Sequence, residues 1–284
     1  MNKVIVMGAS GQLGQCLRSV SGQYPDTDVI FPGEGEANVL DIYKLEELFK
    51  HHLPQYCINC AAYTAVDKAE SDQVIAGKVN KEGPQNLAEL CNKYNAVLIH
   101  ISTDFVFSGN HHLPYSEDDV PAPINVYGVT KLEGEQVIAS STSKFFIIRT
   151  SWLYSEFGNN FVKTMLRLGR EKTELKVVAD QIGTPTYGVD LAHFILKIVD
   201  SGSESYGIYH YSNEGVASWY DFAKAIFEIS EIDILVYPVR SSEFITAAQR
   251  PSFSVMDKSK ARNEFKLNIP YWRESLVGCV TEIN

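Results

Sequence analysis

Three evenly spaced glycines follow the first apolar run of the chain, and this feature constrains the fold most. The run covers residues 4–7, and Gly8, Gly11 and Gly14 come directly after it, where helical spacing begins. Glycines in such a turn let backbone N–H groups and a helix N-terminus approach a pyrophosphate without an intervening side chain. A strand, this turn and a helix predict a dinucleotide-binding unit, although a merely tight strand-to-helix turn would show the same spacing.

Apolar runs alternate with segments of helical spacing through the first half of the chain. Further runs cover residues 29–31, 56–61, 96–102 and 145–149. The helical segments cover residues 12–20, 42–50, 74–94 and 126–139. Buried parallel strands that are joined by helices form a doubly wound sheet. We therefore predict an α/β fold of the Rossmann type, with a dinucleotide-binding domain at residues 1–150.

The alternation loosens after residue 150. The spacing predicts helices over 159–170, 188–199 and 218–229, and strands over 175–179, 206–211 and 234–239. We expect residues 151–284 to form mainly a smaller substrate-binding lobe, with segments that return to the sheet.

Composition excludes several classes of protein. The 284 residues are 45% hydrophobic, which is enough for a sizeable core, and the net charge is -10, which gives no general attraction to phosphate backbones. No apolar run approaches the ~20 residues of a membrane span. Five cysteines, an odd number in a long chain, fit reduced thiols better than a disulfide framework. We expect a cytoplasmic protein with no nucleic-acid or membrane partner.

A tyrosine and a lysine four residues apart form the candidate catalytic pair. Tyr127 and Lys131 share one face of the predicted helix over 126–139. A free tyrosine has a pKa of ~10, so a nearby positive charge is needed to stabilise its anion at neutral pH. The pair follows a strand that ends in Ser102, Thr103 and Asp104, at the edge where doubly wound sheets bind ligands.

With these motifs in view, the sequence resembles the extended short-chain dehydrogenases over almost its whole length. The matching motifs lie at residues 8–14, 59–70, 102–107, 125–131, 149–154, 158–161 and 180–186. Within that family it is similar to the reductases that act on dTDP-4-dehydro-L-rhamnose. The resemblance implies NADPH- or NADH-dependent reduction of the C4 ketone of this sugar nucleotide to give dTDP-L-rhamnose, for cell-surface polysaccharide.

The resemblance also implies roles for three catalytic residues. Tyr127 would protonate the C4 oxygen as hydride arrives, and Lys131 would lower the pKa of Tyr127 while holding the nicotinamide ribose. Thr103 would donate a hydrogen bond to the same oxygen.

Cofactor residues are implied on both sides of the glycine turn. The pyrophosphate would contact Gly8, Gly11, Gln12, Leu13 and Gly14. The adenosine side would contact Asp41, Ile42, Ala62, Tyr63 and Thr64, while Tyr127 and Lys131 complete the set. The second strand ends without a carboxylate to repel a 2'-phosphate and without an arginine to attract one, since Glu34 and Glu36 come slightly late. We therefore expect both NADH and NADPH to serve.

Substrate contacts are implied for five residues, namely Thr103, Asp104, Trp152, Asn160 and Arg250. Some family members hold magnesium at a dimer interface through glutamates, but the matching position on the first helix is Cys16. We therefore predict no metal site and treat a homodimer as an open possibility.

Two other functions are compatible with the same motifs. One is a nucleotide-sugar epimerase or dehydratase on this scaffold. The other is a regulatory, cofactor-binding subunit of the methionine adenosyltransferase type, against which the Thr103, Tyr127 and Lys131 set argues. The sequence leaves the sugar's stereochemistry, the preferred cofactor and the oligomeric state undetermined.

Overall fold

A computed structural model describes residues 1–283, which form one six-stranded sheet, three two-stranded sheets and the helices around them. The strands are β1 (Asn2–Met7), β2 (Thr27–Ile30), β3 (Tyr56–Asn59), β4 (Val97–Thr103), β5 (Phe145–Thr150), β6 (Leu153–Tyr154), β7 (Glu174–Val178), β8 (Ile182–Gly183), β9 (Thr186–Tyr187), β10 (Gly207–His210), β11 (Ala217–Ser218) and β12 (Leu235–Val239). The helices are α1 (Gln12–Val20), α2 (Ile42–His52), α3 (Val66–Ala69), α4 (Gln73–Gly77), α5 (Gly83–Lys93), α6 (Val126–Ser141), α7 (Phe161–Glu171), α8 (Gly188–Ser201), α9 (Trp219–Ile229), α10 (Ser259–Phe265) and α11 (Trp272–Ile283).

The large sheet is parallel throughout and runs in the order β10-β5-β4-β3-β1-β2. The chain moves from β1 outward to β2 and then crosses to β3 on the other side, so the strand order reverses at β1. This reversal is where doubly wound folds bind ligands, and the predicted Rossmann-type fold is confirmed. Strand β10 comes from the second half of the chain and pairs with β5.

Both faces of the sheet are covered, which explains why its strands are continuous apolar runs. Val4 and Val6 of β1 face a core that includes α1 and α8. Ile5 and Met7 face the opposite core, with α2, α5 and α6. Successive side chains of a strand point to opposite faces, so β1 contributes to both cores.

A third core holds the second half of the chain together. It is built mainly from α7, α9 and α11, with Leu166, Phe222, Ile226 and Leu276 fully or almost fully buried. Strands β7 and β12 pair in parallel and pack against α9. No helix among residues 1–283 is long and apolar enough to cross a membrane.

The predicted helix over 74–94 is interrupted. It consists of α4, a π-helical turn at Lys78–Glu82, and α5. Asn80 lies in this turn, fully buried, and its amide bonds both backbone groups of Tyr63. The π-turn thus aims a polar side chain inward, which an apolar periodicity cannot reveal. The second strand is also shifted, to Thr27–Ile30, and α10 and α11 were not predicted.

Candidate active site

The glycine turn lies at the carboxyl end of β1, against the segment that follows β3. Gly8 has φ +75°, and a Cβ there would lie 2.6 Å from the backbone nitrogen of Ala61. A Cβ on Gly14 would lie 2.4 Å from the carbonyl oxygen of Gly8. The two glycines therefore allow the turn to fold back on itself and on β3, as the spacing predicts.

The turn opens onto a cleft of about 390 Å³. Gly8, Gly11, Glu34, Val39 and Ala62 are among the residues that line it. Helix α1 begins after Gly11 with no side chain capping its first N–H groups. Uncapped N–H groups at a helix N-terminus favour an anion, so this cleft fits a dinucleotide.

The residues predicted at the pyrophosphate have different surroundings. Gly8 and Gly11 line the cleft, whereas the Leu13 side chain is buried in the core and only its backbone N–H could meet a cofactor. Gln12 Oε1 accepts a hydrogen bond from Asn160 Nδ2 at 3.1 Å. Gly14 does not line the cleft, but its lack of a Cβ allows the turn to pack closely on Gly8.

On the adenosine side, only Ala62 of the predicted residues lines the cleft. Asp41 caps α2 by accepting a hydrogen bond from the Lys44 N–H at 3.2 Å, and Ile42 begins that helix. The Tyr63 hydroxyl donates to Asp72 at 3.0 Å, and Thr64 is exposed beside it. These four residues lie one or two positions from a lining residue in the sequence, but they do not line the cleft.

One residue outside the predicted cofactor set, the carboxylate of Glu34, also lines the cleft. Glu34 lines it and accepts a hydrogen bond from the Ser10 hydroxyl at 2.5 Å, which ties it to the glycine turn. Its position after β2 was visible in the sequence, but its distance along the chain from the strand end concealed the contact.

Helix α6 positions Tyr127 at the carboxyl end of β4. Asn125 Oδ1 accepts from the Gly128 N–H at 2.8 Å, and Glu70 Oε1 accepts from the Val126 N–H at 2.9 Å. The Tyr127 ring meets Phe105 edge to face, with centroids 5.7 Å apart. These contacts fix the first turn of the helix.

The phenol of Tyr127 is protonated at neutral pH. Burial raises its pKa to about 12, which the nearby Thr103 hydroxyl partly opposes and the Asp104 charge reinforces. These three effects set the pKa of Tyr127 in this structure, and Lys131 is not one of them. The role of Lys131 in lowering that pKa therefore stays a prediction for the cofactor-bound protein.

Lys131 is fully enclosed beneath this site. Its Nζ donates to the Ile101 carbonyl oxygen at 2.7 Å and lies 3.1 Å from His100 Nε2. Burial lowers the pKa of Lys131 to about 8, while the charge of Glu135 acts in the opposite direction. His100 was not among the predicted site residues, although a histidine inside an apolar strand was a visible signal.

A buried ion pair supports the floor of the site. Arg149 Nη2 donates to Glu135 Oε2 at 2.7 Å, and the Ser102 hydroxyl donates to Glu135 Oε1 at 2.5 Å. Each side chain is nearly inaccessible to solvent. The network joins α6 to the ends of β4 and β5.

Thr103 and Asp104, two of the predicted substrate contacts, are hydrogen-bonded to each other at the end of β4. The Thr103 hydroxyl accepts from the Phe105 N–H and donates to Asp104 Oδ1, both at 3.1 Å. Asp104 Oδ2 is buried and has no hydrogen-bond partner among residues 1–283. Burial raises the pKa of Asp104 to about 6.

Trp152 follows β5 in a left-handed conformation, with φ +46°. Its indole stacks on Trp219 with centroids 3.6 Å apart, and a Cβ on Gly183 would lie 2.8 Å from the same indole. Such backbone strain in a non-glycine residue needs support from its surroundings. The stack supplies it, and substrate contact by Trp152 stays a prediction.

Asn160 and Arg250 both have protein partners. Asn160 caps α7 and donates to Gln12, so it links α7 to the residue that begins α1 after the glycine turn. Arg250 forms a bidentate ion pair with Asp67, which lowers the pKa of that carboxyl. Asp67 belongs to the segment 59–70 and was not among the predicted site residues.

Cys16, which matches a magnesium-ligating position in some family members, is buried in the core beneath α8. Burial raises the pKa of its thiol to about 12, which keeps it protonated and unsuited to bind a cation. Among residues 1–283, no group of three or more His, Cys, Asp or Glu side chains is arranged to hold a metal ion.

A doubly wound sheet with a glycine turn at its reversal point defines the class of dinucleotide-binding α/β proteins. The family described as RmlD substrate binding domain matches residues 1–284, and the chain belongs to it. The resemblance inferred from the motifs is confirmed.

Individual relatives match along nearly their full length. The chain is 39% identical over 289 residues to the dTDP-4-dehydrorhamnose reductase of Aggregatibacter actinomycetemcomitans, covering 97% of each. It is 40% identical over 278 residues to the spore coat polysaccharide biosynthesis protein SpsK of Bacillus subtilis, covering 97% of this chain and 96% of SpsK. The crystal structure of the Bacillus anthracis dTDP-4-dehydrorhamnose reductase in complex with NADP superimposes with a TM-score of 0.94 at 42% identity, covering 99% of this chain and 100% of that one.

Proposed function

We propose that this protein is an oxidoreductase that reduces the C4 ketone of dTDP-4-dehydro-L-rhamnose to dTDP-L-rhamnose, with NADH or NADPH as reductant. The observation that carries the proposal is a protonated Tyr127 beside Thr103, one helical turn from the buried Lys131. Cys60, a neighbour of Lys131, lines the cleft at the glycine turn. Relatives that bear the name of this reductase support the choice of substrate.

The reduced cofactor, when bound, supplies the hydride. Gly8, Gly11 and the N–H groups at the start of α1 would hold its pyrophosphate, and Ala62 would face its adenosine side. Lys131 would hold the nicotinamide ribose. The chain's own task is then to orient the ketone and to deliver one proton to it.

Tyr127 is suited to deliver that proton. It is protonated before the reaction because burial disfavours its anion. As C4 gains hydride, the phenolic O–H bond breaks and its proton goes to the C4 oxygen, leaving an alcohol and a phenolate. Lys131, one helical turn away on α6, would stabilise the phenolate until it regains a proton from solvent.

Thr103 would donate a second hydrogen bond to the same oxygen, which strengthens as negative charge develops. In the structure its proton goes to Asp104 instead, so the hydroxyl would have to rotate when substrate binds. The unpartnered Asp104 Oδ2 would then accept from a sugar hydroxyl.

The second lobe would complete the substrate pocket. In this proposal residues 151–284 form mainly the substrate-binding lobe, and residues 1–150 form the dinucleotide-binding domain. Trp152, Asn160 and Arg250 are the proposed contacts from this side. A cytoplasmic location is also part of the proposal, because reduced nicotinamide cofactors are supplied there.

The test is a coupled observation of cofactor and sugar. Purified protein is mixed with NADH or NADPH and dTDP-4-dehydro-L-rhamnose, cofactor absorbance is followed, and the sugar nucleotide is identified by mass and NMR. We expect one cofactor oxidised for each dTDP-L-rhamnose formed. A protein that binds cofactor but leaves this ketone unreduced would contradict the proposal.

A further inference from the structure

A chain of four hydrogen bonds leads from the backbone after β3 through Lys131 to the Ile101 carbonyl. The Ala61 N–H donates to Asn59 Oδ1 at 3.0 Å, and Asn59 Nδ2 lies 3.0 Å from His100 Nδ1. His100 Nε2 lies 3.1 Å from Lys131 Nζ, which donates to the Ile101 carbonyl oxygen. Asn59, His100 and Lys131 are at most 1% exposed, so water cannot replace any member.

The backbone fixes the direction of this chain. An N–H group can only donate, so the atom of Asn59 that faces Ala61 must be the amide oxygen. The amide nitrogen then faces His100 and can only donate, which makes Nδ1 the acceptor. The reverse orientation of the Asn59 amide would set two donors against each other at Ala61.

The tautomer of His100 follows from that direction. Burial and the neighbouring lysine lower the pKa of His100 well below its usual value, so the imidazole is neutral and carries one proton. With Nδ1 as acceptor, the proton is on Nε2 and points at Lys131 Nζ. An ammonium has three donors and no acceptor, whereas a neutral amine has a lone pair that can accept this proton.

We infer that Asn59 and His100 are positioning residues that favour the neutral form of Lys131 in the cofactor-free protein and thereby set the alkaline limit for cofactor binding. The inference rests on the proposed function, which assigns a Lys131 ammonium to the cofactor. It adds a control on that ammonium by two residues which touch neither cofactor nor substrate.

The other groups around Lys131 do not produce this effect. Glu135 on the same helix favours the ammonium, but its carboxylate is neutralised in part by Arg149. Cys60, after β3, is a neutral thiol because burial raises its pKa. Tyr127, one turn earlier on α6, is itself protonated. His100 is thus the neighbour whose hydrogen-bonding direction opposes the charged form.

The tautomer gives the first test and needs no ligand. The cofactor-free protein is labelled with ¹⁵N-histidine, and the His100 signals are assigned by their loss in His100→Gln. We expect the chemical shifts of an Nε2-protonated ring in the wild type and of an Nδ1-protonated ring in Asn59→Asp, whose carboxylate can accept from both Ala61 and His100. An Nδ1-protonated ring in the wild type would overturn the inference.

The second test measures the NADH dissociation constant as a function of pH. In the wild type, affinity should fall above the Lys131 pKa of about 8. In Asn59→Asp, the pH above which NADH affinity declines should rise by about one unit or more. This shift corresponds to about a tenfold change in the dissociation constant in that pH range. Asn59→Ala, which adds no charge and frees His100 Nδ1, should move the pH of the decline the same way.

If Asn59 had a purely structural role, its substitution would weaken binding at every pH and leave the pH of the decline unchanged. That result would overturn the inference. If neither NADH nor NADPH binds the wild type at any pH, the proposed function fails, while the tautomer measurement still decides whether the chain of hydrogen bonds has the stated direction.

Discussion

Gly128 of α6 packs directly on the carbonyl of Phe105, so closely that a Cβ at position 128 would lie 2.2 Å from the Phe105 oxygen. This contact sets the distance between the helix that carries Tyr127 and Lys131 and the segment that carries Thr103 and Asp104. The glycine inside the Tyr-Lys motif is therefore what allows the proposed proton donor to reach the end of β4.

Gly128→Ala should damage both stability and turnover. The added methyl meets backbone, which cannot move aside cheaply, so we expect the free energy of unfolding to fall by about 1–3 kcal/mol. A shifted Tyr127 should lower kcat by about 100-fold. Gly77→Ala is the matched control, because a Cβ there meets nothing within 4 Å. Wild-type stability and kcat in Gly128→Ala would contradict this account of the contact.

Tyr127→Phe should abolish proton donation without disturbing the site. The ring still packs on Phe105, and cofactor affinity should be kept, while kcat falls by about 100-fold or more because general acid catalysis contributes at least that much. Tyr24→Phe serves as control, since its hydroxyl bonds His193 away from the cleft. Turnover close to the wild type would remove Tyr127 from the mechanism.

Asp104 should make stability depend on pH. Its folded-state pKa is raised from 3.8 to about 6, so the protonated form stabilises the folded protein below about pH 4, and this contribution is lost as pH rises through 6. Asp104→Asn does not ionise. From about pH 4 to about pH 7.5, the free energy of unfolding of Asp104→Asn should therefore rise relative to that of the wild type by about 2–3 kcal/mol, as measured by urea unfolding. An equal difference at both pH values would show that the wild-type carboxyl is not destabilised by burial.

Both NADH and NADPH should support reduction. None of the residues that line the cleft is Lys or Arg, and the carboxylate of Glu34 is exposed and only weakly repulsive. Glu34→Gln should raise kcat/KM for NADPH relative to NADH by about two- to fivefold, whereas Glu36→Gln, outside the lining, should not. A wild-type preference above about 100-fold, or about 2.7 kcal/mol, would contradict the expectation.

The sequence was most informative where one local pattern decides the structure. Buried parallel strands are continuous apolar runs, so β1, β3, β4 and β5 could be recognised without knowledge of their partners. The glycine turn and the Tyr-Lys pair depend on spacing within one helix or one turn. The spacing of Leu276, Cys279 and Val280 is also typical of a helix, although α11 was not predicted from it.

Contacts between distant segments were not predictable in this way. Asn59, His100 and Lys131 are separated by at least 31 residues along the chain and meet only because α6 packs across β4 beside β3. Asn80 reaches Tyr63 through a π-helical turn, and Arg250 reaches Asp67 from the far end of the chain. Such polar pairs have no periodicity, and their partners emerge only from the folded arrangement.

The central claim is that hydride passes from a nicotinamide cofactor to C4 of the sugar, and isotope transfer tests it most directly. The protein is incubated with dTDP-4-dehydro-L-rhamnose and NADH deuterated at the transferring position, and the product is examined by NMR. We predict one deuterium at C4 of dTDP-L-rhamnose for each cofactor oxidised. Isomerised sugar nucleotide with no net cofactor oxidation, as an epimerase would give, or no conversion at all, would contradict the account.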